Sequence, residues 1–347
     1  MTEITTLSQF LTTANTQFQV YDLGRRVQHI DALAFHQIES LLAPYPYPIQ
    51  GHAQLGLVFW QQSAQPYIWF LKLPLDEQGL LSPAPRSQFI QMILDALGRD
   101  LTQELTEAQQ EQFANHPFSF KPNQHKLALF NALVRQQLGQ PASSQYEFAA
   151  QYLSEQAVIG ESSAVENESH SWEQLGLQGI ADVCVRAQSL DNMDSLIRSF
   201  DFSPLPVHAA LCQCLEHLPL EPSLAEKIYL LFEQASNEHK ASYLAALASS
   251  PSLSIKAIAH LAQHNLLDAN HLVTIAARNW QALKDDSCRK SYLEALALQE
   301  QGFFNQVFAD IVAIPSLRQA LLLDLRNPER SNILSIAIGG LFKAAQS

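Results

Sequence analysis

Residues 242–248 read SYLAALA and residues 291–297 read SYLEALA, six identities in seven positions at an offset of 49. Each copy is followed by a turn-prone step and a second amphipathic run. Neighbouring units therefore need one another to cover their apolar faces, as in an α-solenoid. The pattern extends both ways. Pro204 and Pro206 open a helix with Val207, Leu211, Cys214, Leu215 and Leu218 inward, and Pro222 opens the next with Leu224, Ile228, Leu231 and Ala235 inward. Further helices are predicted near 238–249, 252–264, 269–283, 286–299, 302–313, 315–325 and 328–344. Asn327 and Pro328 would cap the last, and Ile333, Ile336, Ile338 and Leu341 would close the stack. Steps of about 30 residues per helix pair are shorter than the ~40 residues of HEAT-like units, so the expected architecture is HEAT-like by pattern and irregular by length.

Upstream, the helical run begins at Trp172, with Ile180, Val183, Cys184 and Ala187 on one helical stripe and Met193, Leu196, Ile197 and Phe200 on the next. Before it, residues 160–171 read GESSAVENESHS, polar and aperiodic, and no Lys or Arg occurs between 136 and 171. Residues 139–171 are read as a flexible acidic linker, with an amphipathic turn or two over 146–156. The first 138 residues carry a different pattern. QFQVYDL at 17–23 alternates, Asp31 can cap a helix over 32–42 with Leu33, Ile38, Leu41 and Leu42 apolar, and the alternate prolines of APYPYPIQG stop it at 43–51. Two aromatic, β-branched runs at 53–61 and 67–74 predict a hairpin, and Phe89, Ile90, Ile93 and Leu94 mark a helix ended by Gly98. Residues 100–138 read as two bridging helices broken at HPFSFKPN. The expected organisation is a small α+β domain over 1–138, the linker, and an all-α helical-repeat domain over 172–347, mostly α in total.

Composition limits the functions available. The chain has 347 residues, 47% of them hydrophobic, and a net charge of −13. A phosphate backbone would be repelled by that field, which argues against nucleic acid as a partner. Cys184, Cys212, Cys214 and Cys288 are too few for a disulfide framework in so long a chain, and no cationic, apolar leader opens the sequence. A cytoplasmic protein without a membrane span is expected.

The hairpin's second strand contains Trp69 and runs out into PLDEQG. With its Leu75, Asp76 and Glu77, this LDE tripeptide after a Trp-bearing strand, ahead of a helical C-terminal half, resembles a bacterial protein family defined by a domain of unknown function. The resemblance covers nearly the whole chain. It implies a bacterial cytoplasmic protein and makes Asp76 and Glu77 the leading functional pair, while bringing no activity, substrate or cofactor. Read on its own chemistry, Asp76 suits a turn leading to Gly79 and Glu77 a solvated position.

Other candidates are weaker. His260 and His264 stand i, i+4 with Asp268 nearby, half of a zinc site whose third ligand would be the carboxylate; the general base of an H-E-x-x-H helix is absent, since Leu261, Ala262 and Gln263 intervene. Cys212 and Cys214 lie about 200° apart around a helix and read as packing groups, and His208 with Cys212 lacks further ligands. No P-loop, nucleophile elbow or separated acid pair occurs. The reading that follows is a non-enzymatic adaptor or regulatory protein holding a protein or peptide on its helical surface, without a cofactor. A metal-dependent hydrolase using His260, His264 and Asp268, or Asp76 and Glu77, is the alternative.

Overall fold

The structure is a computed structural model and describes residues 5–61, 66–97, 116–159, 172–188 and 190–344. The first of the two expected bridging helices, over 100–115, the Gly98 end of the helix before it and the polar stretch 160–171 lie outside the described residues. Packing divides the chain into two compact units, Met1–Pro122 with Phe308–Leu322, and Asn123–Val307 with Leu323–Ser347.

The first unit is built on a four-stranded antiparallel sheet in the order β2-β1-β3-β4, formed by β1 (Gln17–Asp22), β2 (Gln28–Ile30), β3 (His52–Trp60) and β4 (Tyr67–Pro74). The hairpin expected from sequence is its β3-β4 half, in register Leu57 to Trp69 and Leu55 to Leu71. Alternation sends Ala53, Leu55, Leu57 and Phe59 to one face, where Val20, Leu71 and Leu73 join them. Helices α1 (Leu7–Thr13), α2 (Ala32–Glu39) and α3 (Pro83–Leu97) cover that face with Leu7, Phe10, Phe35, Ile38, Phe89 and Ile93. Asp31 caps α2 by accepting from the amides of Leu33 and Ala34. Leu33 and Leu42, expected inward, are 67% and 76% exposed, and Phe35 is buried in their place. Asp31 fixes where the helix begins, and the face packed into the core is the one bearing Phe35 and Ile38. Glu39 is buried and ties two helices together: its carboxylate accepts from the amides of Leu7 and Ser8 at the start of α1, while its carbonyl accepts from Arg86.

The second unit is helical. Its first members are α4 (Gln124–Gln137), α5 (Tyr146–Ile159), α6 (Leu177–Val185), α7 (Leu190–Phe202) and α8 (Leu205–Leu215). There follow α9 (Pro222–Gln234), α10 (Asn237–Ala246), α11 (Pro251–Gln263), α12 (Ala269–Ala277) and α13 (Asp286–Ala297). The chain then continues through α14 (Gln301–Val312), α15 (Pro315–Asp324) and α16 (Asn332–Ala344), of which residues 308–322 belong to the first unit. Helix α5 extends the amphipathic turns expected over 146–156 within the stretch read as linker, and buries Ala149, Tyr152 and Leu153.

Alternate helices pack in two rows, α8 on α10 on α12 and α9 on α11 on α13. The repeated SYL triplet explains part of this order. Tyr243 and Leu244 are buried on α10, and Tyr292 and Leu293 on α13. Each tyrosine reaches another helix: the Tyr243 hydroxyl lies 2.7 Å from Nδ1 of His208 on α8, and the Tyr292 hydroxyl donates to the Leu272 carbonyl of α12 at 3.0 Å. The helix expected over 269–283 breaks after Ala277, and Trp280–Lys284 is a 3-10 turn. The reason is Asn279, buried, whose Nδ2 donates to the Leu244 carbonyl and to Ser254 Oγ. Those bonds outweigh continuation of the helix. The last helix starts at Asn332 rather than at 328, because Ser331 caps it and accepts from the Leu334 amide. In it Leu334, Ala337 and Ile338 face inward, while Ile333 and Ile336 are exposed.

Helices α5 and α6 cross closely at Gly179, where an added Cβ would stand 2.5 Å from the Gln145 carbonyl oxygen and 3.0 Å from Ala149 Cβ. Backbone on one side leaves nothing to yield. Gly179→Ala is therefore expected to lower unfolding stability by about 1–3 kcal/mol, measured by urea denaturation; an unchanged midpoint would contradict the close crossing.

Candidate functional site

A cleft of about 440 Å3 in the first unit is bordered by the LDE loop on one side and residues of α14 and α15 on the other, among them Pro48, Leu75, Asp76, Glu77, Val312 and Arg318. Its floor begins with a two-residue turn. Ile49 and His52 exchange backbone hydrogen bonds in both directions at 3.0 Å, with Gln50 (φ 48) and Gly51 (φ 73) between them. Positive φ at both central positions is the type I′ arrangement, which glycine accepts freely and glutamine does not. The Leu75 amide then donates to the Gly51 carbonyl at 2.9 Å, laying the LDE loop beside this turn.

Asp76 builds its own loop. Its Oδ1 accepts from the amides of Gln78 at 2.9 Å and Leu80 at 2.8 Å, and its carbonyl accepts from Gly79, whose φ of 83 the turn requires. Glu77 is exposed beside it. Trp69 stands seven residues back along β4, roughly 20 Å at strand rise, on the core face against Phe59 and Phe89 with ring centroids 4.4 and 5.4 Å away. The tertiary structure thus keeps Leu75, Asp76 and Glu77 together at the cleft and sends Trp69 into the core.

The opposite wall is held by charged residues that pattern reading passed over. The buried Asp22 carboxylate accepts from the amides of Gly24, Arg25 and Arg26 at 3.1–3.2 Å and from the Tyr45 hydroxyl at 2.5 Å. Burial, then the Asp22 charge, push the Tyr45 phenol well above its ordinary value, so it stays a donor. The turn so formed aims Arg25, fully buried, at Asp310: Nη2 donates to its Oδ2 at 2.9 Å and to its carbonyl at 3.0 Å. The other oxygen of Asp310 accepts from the Gln50 amide at 3.2 Å. Arg318 directs Nε to the Val312 carbonyl and Nη1 to the Gln78 carbonyl of the LDE loop. The signal for the cradle, an aspartate two residues before a glycine in DLGRR, is an Asx-turn signature; nothing local pointed to Asp310 or Arg318.

The second unit has a groove of about 430 Å3 lined by Ala262, Leu267, Ala295, Leu298 and Ile333, with Lys290 and Glu294 among its polar groups. Leu298 is 68% exposed. Glu294 is committed to Ser331, accepting from its amide and hydroxyl.

The histidine pair does come together. The rings of His260 and His264 are 4.5 Å apart, and His264 Nδ1 donates to the His260 carbonyl at 2.8 Å. Burial, followed by the neighbouring His264 and Lys240, holds His260 below its ordinary value. Asp268 is occupied elsewhere: its Oδ1 caps α12 through the His271 amide at 3.0 Å and lies 2.8 Å from His271 Nδ1. Among the described residues no three His, Cys, Asp or Glu side chains come together as a metal-binding group. The cysteines are free and buried, and burial pushes Cys288 up to about 12. Among the described residues no helix is long and apolar enough to cross a membrane.

A family model for a protein of unknown function, DUF3549, matches residues 2–342. The chain belongs to that family. The match takes in both units of this DUF3549 protein, so the sheet, the cleft and the helical rows are all within it. No curated protein and no solved structure matches the chain.

Two outcomes test the geometry. Asp310→Ala removes the carboxylate partner of the buried Arg25 guanidinium, and a loss of about 2–3 kcal/mol is expected in denaturant unfolding; this is below the figure for a fully buried pair because Asp310 is partly exposed. His208 lies below its ordinary value through burial, so the folded chain favours its neutral form. Its stability contribution is complete above about pH 6.5 and is lost as pH falls beneath that value. The melting temperature should fall from pH 7 to pH 5, and less steeply in His208→Asn; equal slopes would remove His208 from the account.

Proposed function

We propose that this DUF3549 protein is a non-enzymatic adaptor or regulatory protein of the bacterial cytoplasm that holds a protein or peptide partner on its helical unit, with the two helical rows acting as an irregular HEAT-like stack. Supporting this reading is one observation above others: the groove lined by Ala262, Leu267, Ala295, Leu298 and Ile333 leaves large aliphatic side chains in water. Apolar surface of this kind gains free energy when a partner covers it. Stacked helix pairs offer extended faces suited to the task, and the tyrosine and asparagine bonds between helices keep such a face rigid before binding. The charge of −13 favours a protein partner over nucleic acid. Four free thiols suit a reducing compartment.

The test compares wild-type protein with a Leu298→Glu/Ile333→Glu double variant as affinity baits in lysate of the source cells. A polypeptide retained by the wild type and lost with the variant, at matched melting temperature, is the expected result. Identical retention, or no specific retention, would overturn the proposal.

A further inference from the structure

From the cleft of the first unit we infer a second binding site, separate from the helical groove, that takes an extended peptide segment presenting a lysine or arginine between aliphatic side chains. The walls supply the aliphatic half of that chemistry. Pro48, Leu75, Ala309, Val312 and Leu322 line the space, and Leu322 is 45% exposed. A volume near 440 Å3 falls in the range of sites that take small ligands or a few side chains, roughly 300–1,000 Å3.

The charges supply the other half through an asymmetry. The cleft holds two acids and one base, Asp76, Glu77 and Arg318. Arg318 directs Nε, Nη1 and Nη2 to the carbonyls of Val312, Gln78 and Ala313. Asp76 uses Oδ1 for the loop amides. Glu77 stays exposed at the rim. Two carboxylates against one guanidinium leave the cleft with a net negative charge, beside aliphatic walls. A lysine or arginine matches both features at once, burying its methylene stem along the aliphatic wall and keeping its cation at the carboxylates. Rigidity favours binding too: the Asp76 turn, the Gln50-Gly51 turn and the Arg25 to Asp310 bonds hold both walls in place, so little ordering cost remains. The loop's role is then twofold. Asp76 shapes the turn, and Glu77 contacts the cation.

Phage display tests the site on the full-length chain, with a random peptide library selected against immobilised wild-type protein. The selected peptides should carry Lys or Arg flanked by Leu, Ile or Val. Labelled with fluorescein and followed by anisotropy, they should bind at least about tenfold more weakly to Asp76→Asn/Glu77→Gln, the factor that 1.4 kcal/mol represents. Asparagine keeps the Oδ1 acceptor of the turn, so that variant retains the loop. Ala309→Trp, on an exposed lining position, should abolish binding by filling the cleft. Leu298→Glu/Ile333→Glu should leave it unchanged, which separates this site from the helical groove. Selection of acidic or purely apolar sequences, failure to select any, or binding that survives both cleft variants would overturn the inference.

Discussion

The carboxylate of Asp22 carries the first unit. A buried anion is costly unless its lone pairs are filled, and here three backbone amides and the Tyr45 phenol fill them. Because those amides belong to consecutive residues, satisfying the charge also dictates the path of the chain after β1. The path aims Arg25 at Asp310, 285 residues later, and Asp310 in turn holds the Gln50 amide. One buried charge thereby connects the turn after β1, the proline-rich segment through Tyr45, and the two turns that border the cleft. The aliphatic core beneath the sheet supplies the bulk of the burial energy, yet it would tolerate several arrangements of these loops. The charged chain selects one of them.

The helical unit solves a different problem. Its helices bury aliphatic stripes against neighbours, an interaction without strong directional preference, and register has to come from something else. Polar contacts between helices provide it. Tyr243 meets His208, Tyr292 meets the Leu272 carbonyl, and Asn279 bridges Leu244 and Ser254. At Gly179 the absent side chain allows two backbones to approach, a contact that a larger residue would push apart. Such contacts are few, but each leaves a buried polar group or a steric clash if the helices slide.

Much of the candidate site was readable residue by residue, and little of it as a site. The turn role of Asp76 follows from an aspartate three residues before a glycine, and its observed bonds to Gln78 and Leu80 have that form. Trp69 was grouped with the tripeptide by adjacency along one strand, whereas alternation and register direct it to the core. Helical spacing places His260 beside His264, and their rings do meet, but Asp268 begins a new helix and is consumed as its cap. A candidate ligand's local duty can outweigh its nearness in sequence.

By itself the sequence determined what depends on short-range physics: which stretches are helix or strand, where prolines and capping residues start them, and that a small sheet-containing part precedes a run of helices. Hydrophobic periodicity and capping act over a few residues, so one chain displays them in full. Only the tertiary structure decided that β1 and β2 extend the hairpin to four strands and that residues 308–322 join the first unit. It alone brought Asp310 to Arg25 and the Gln50 turn, brought Arg318 to the LDE loop, and turned Ile333 and Ile336 outward on the final helix. Those outcomes rest on buried charges and packed surfaces brought together across hundreds of residues, and no local pattern encodes which distant partner a charge or an apolar face will meet.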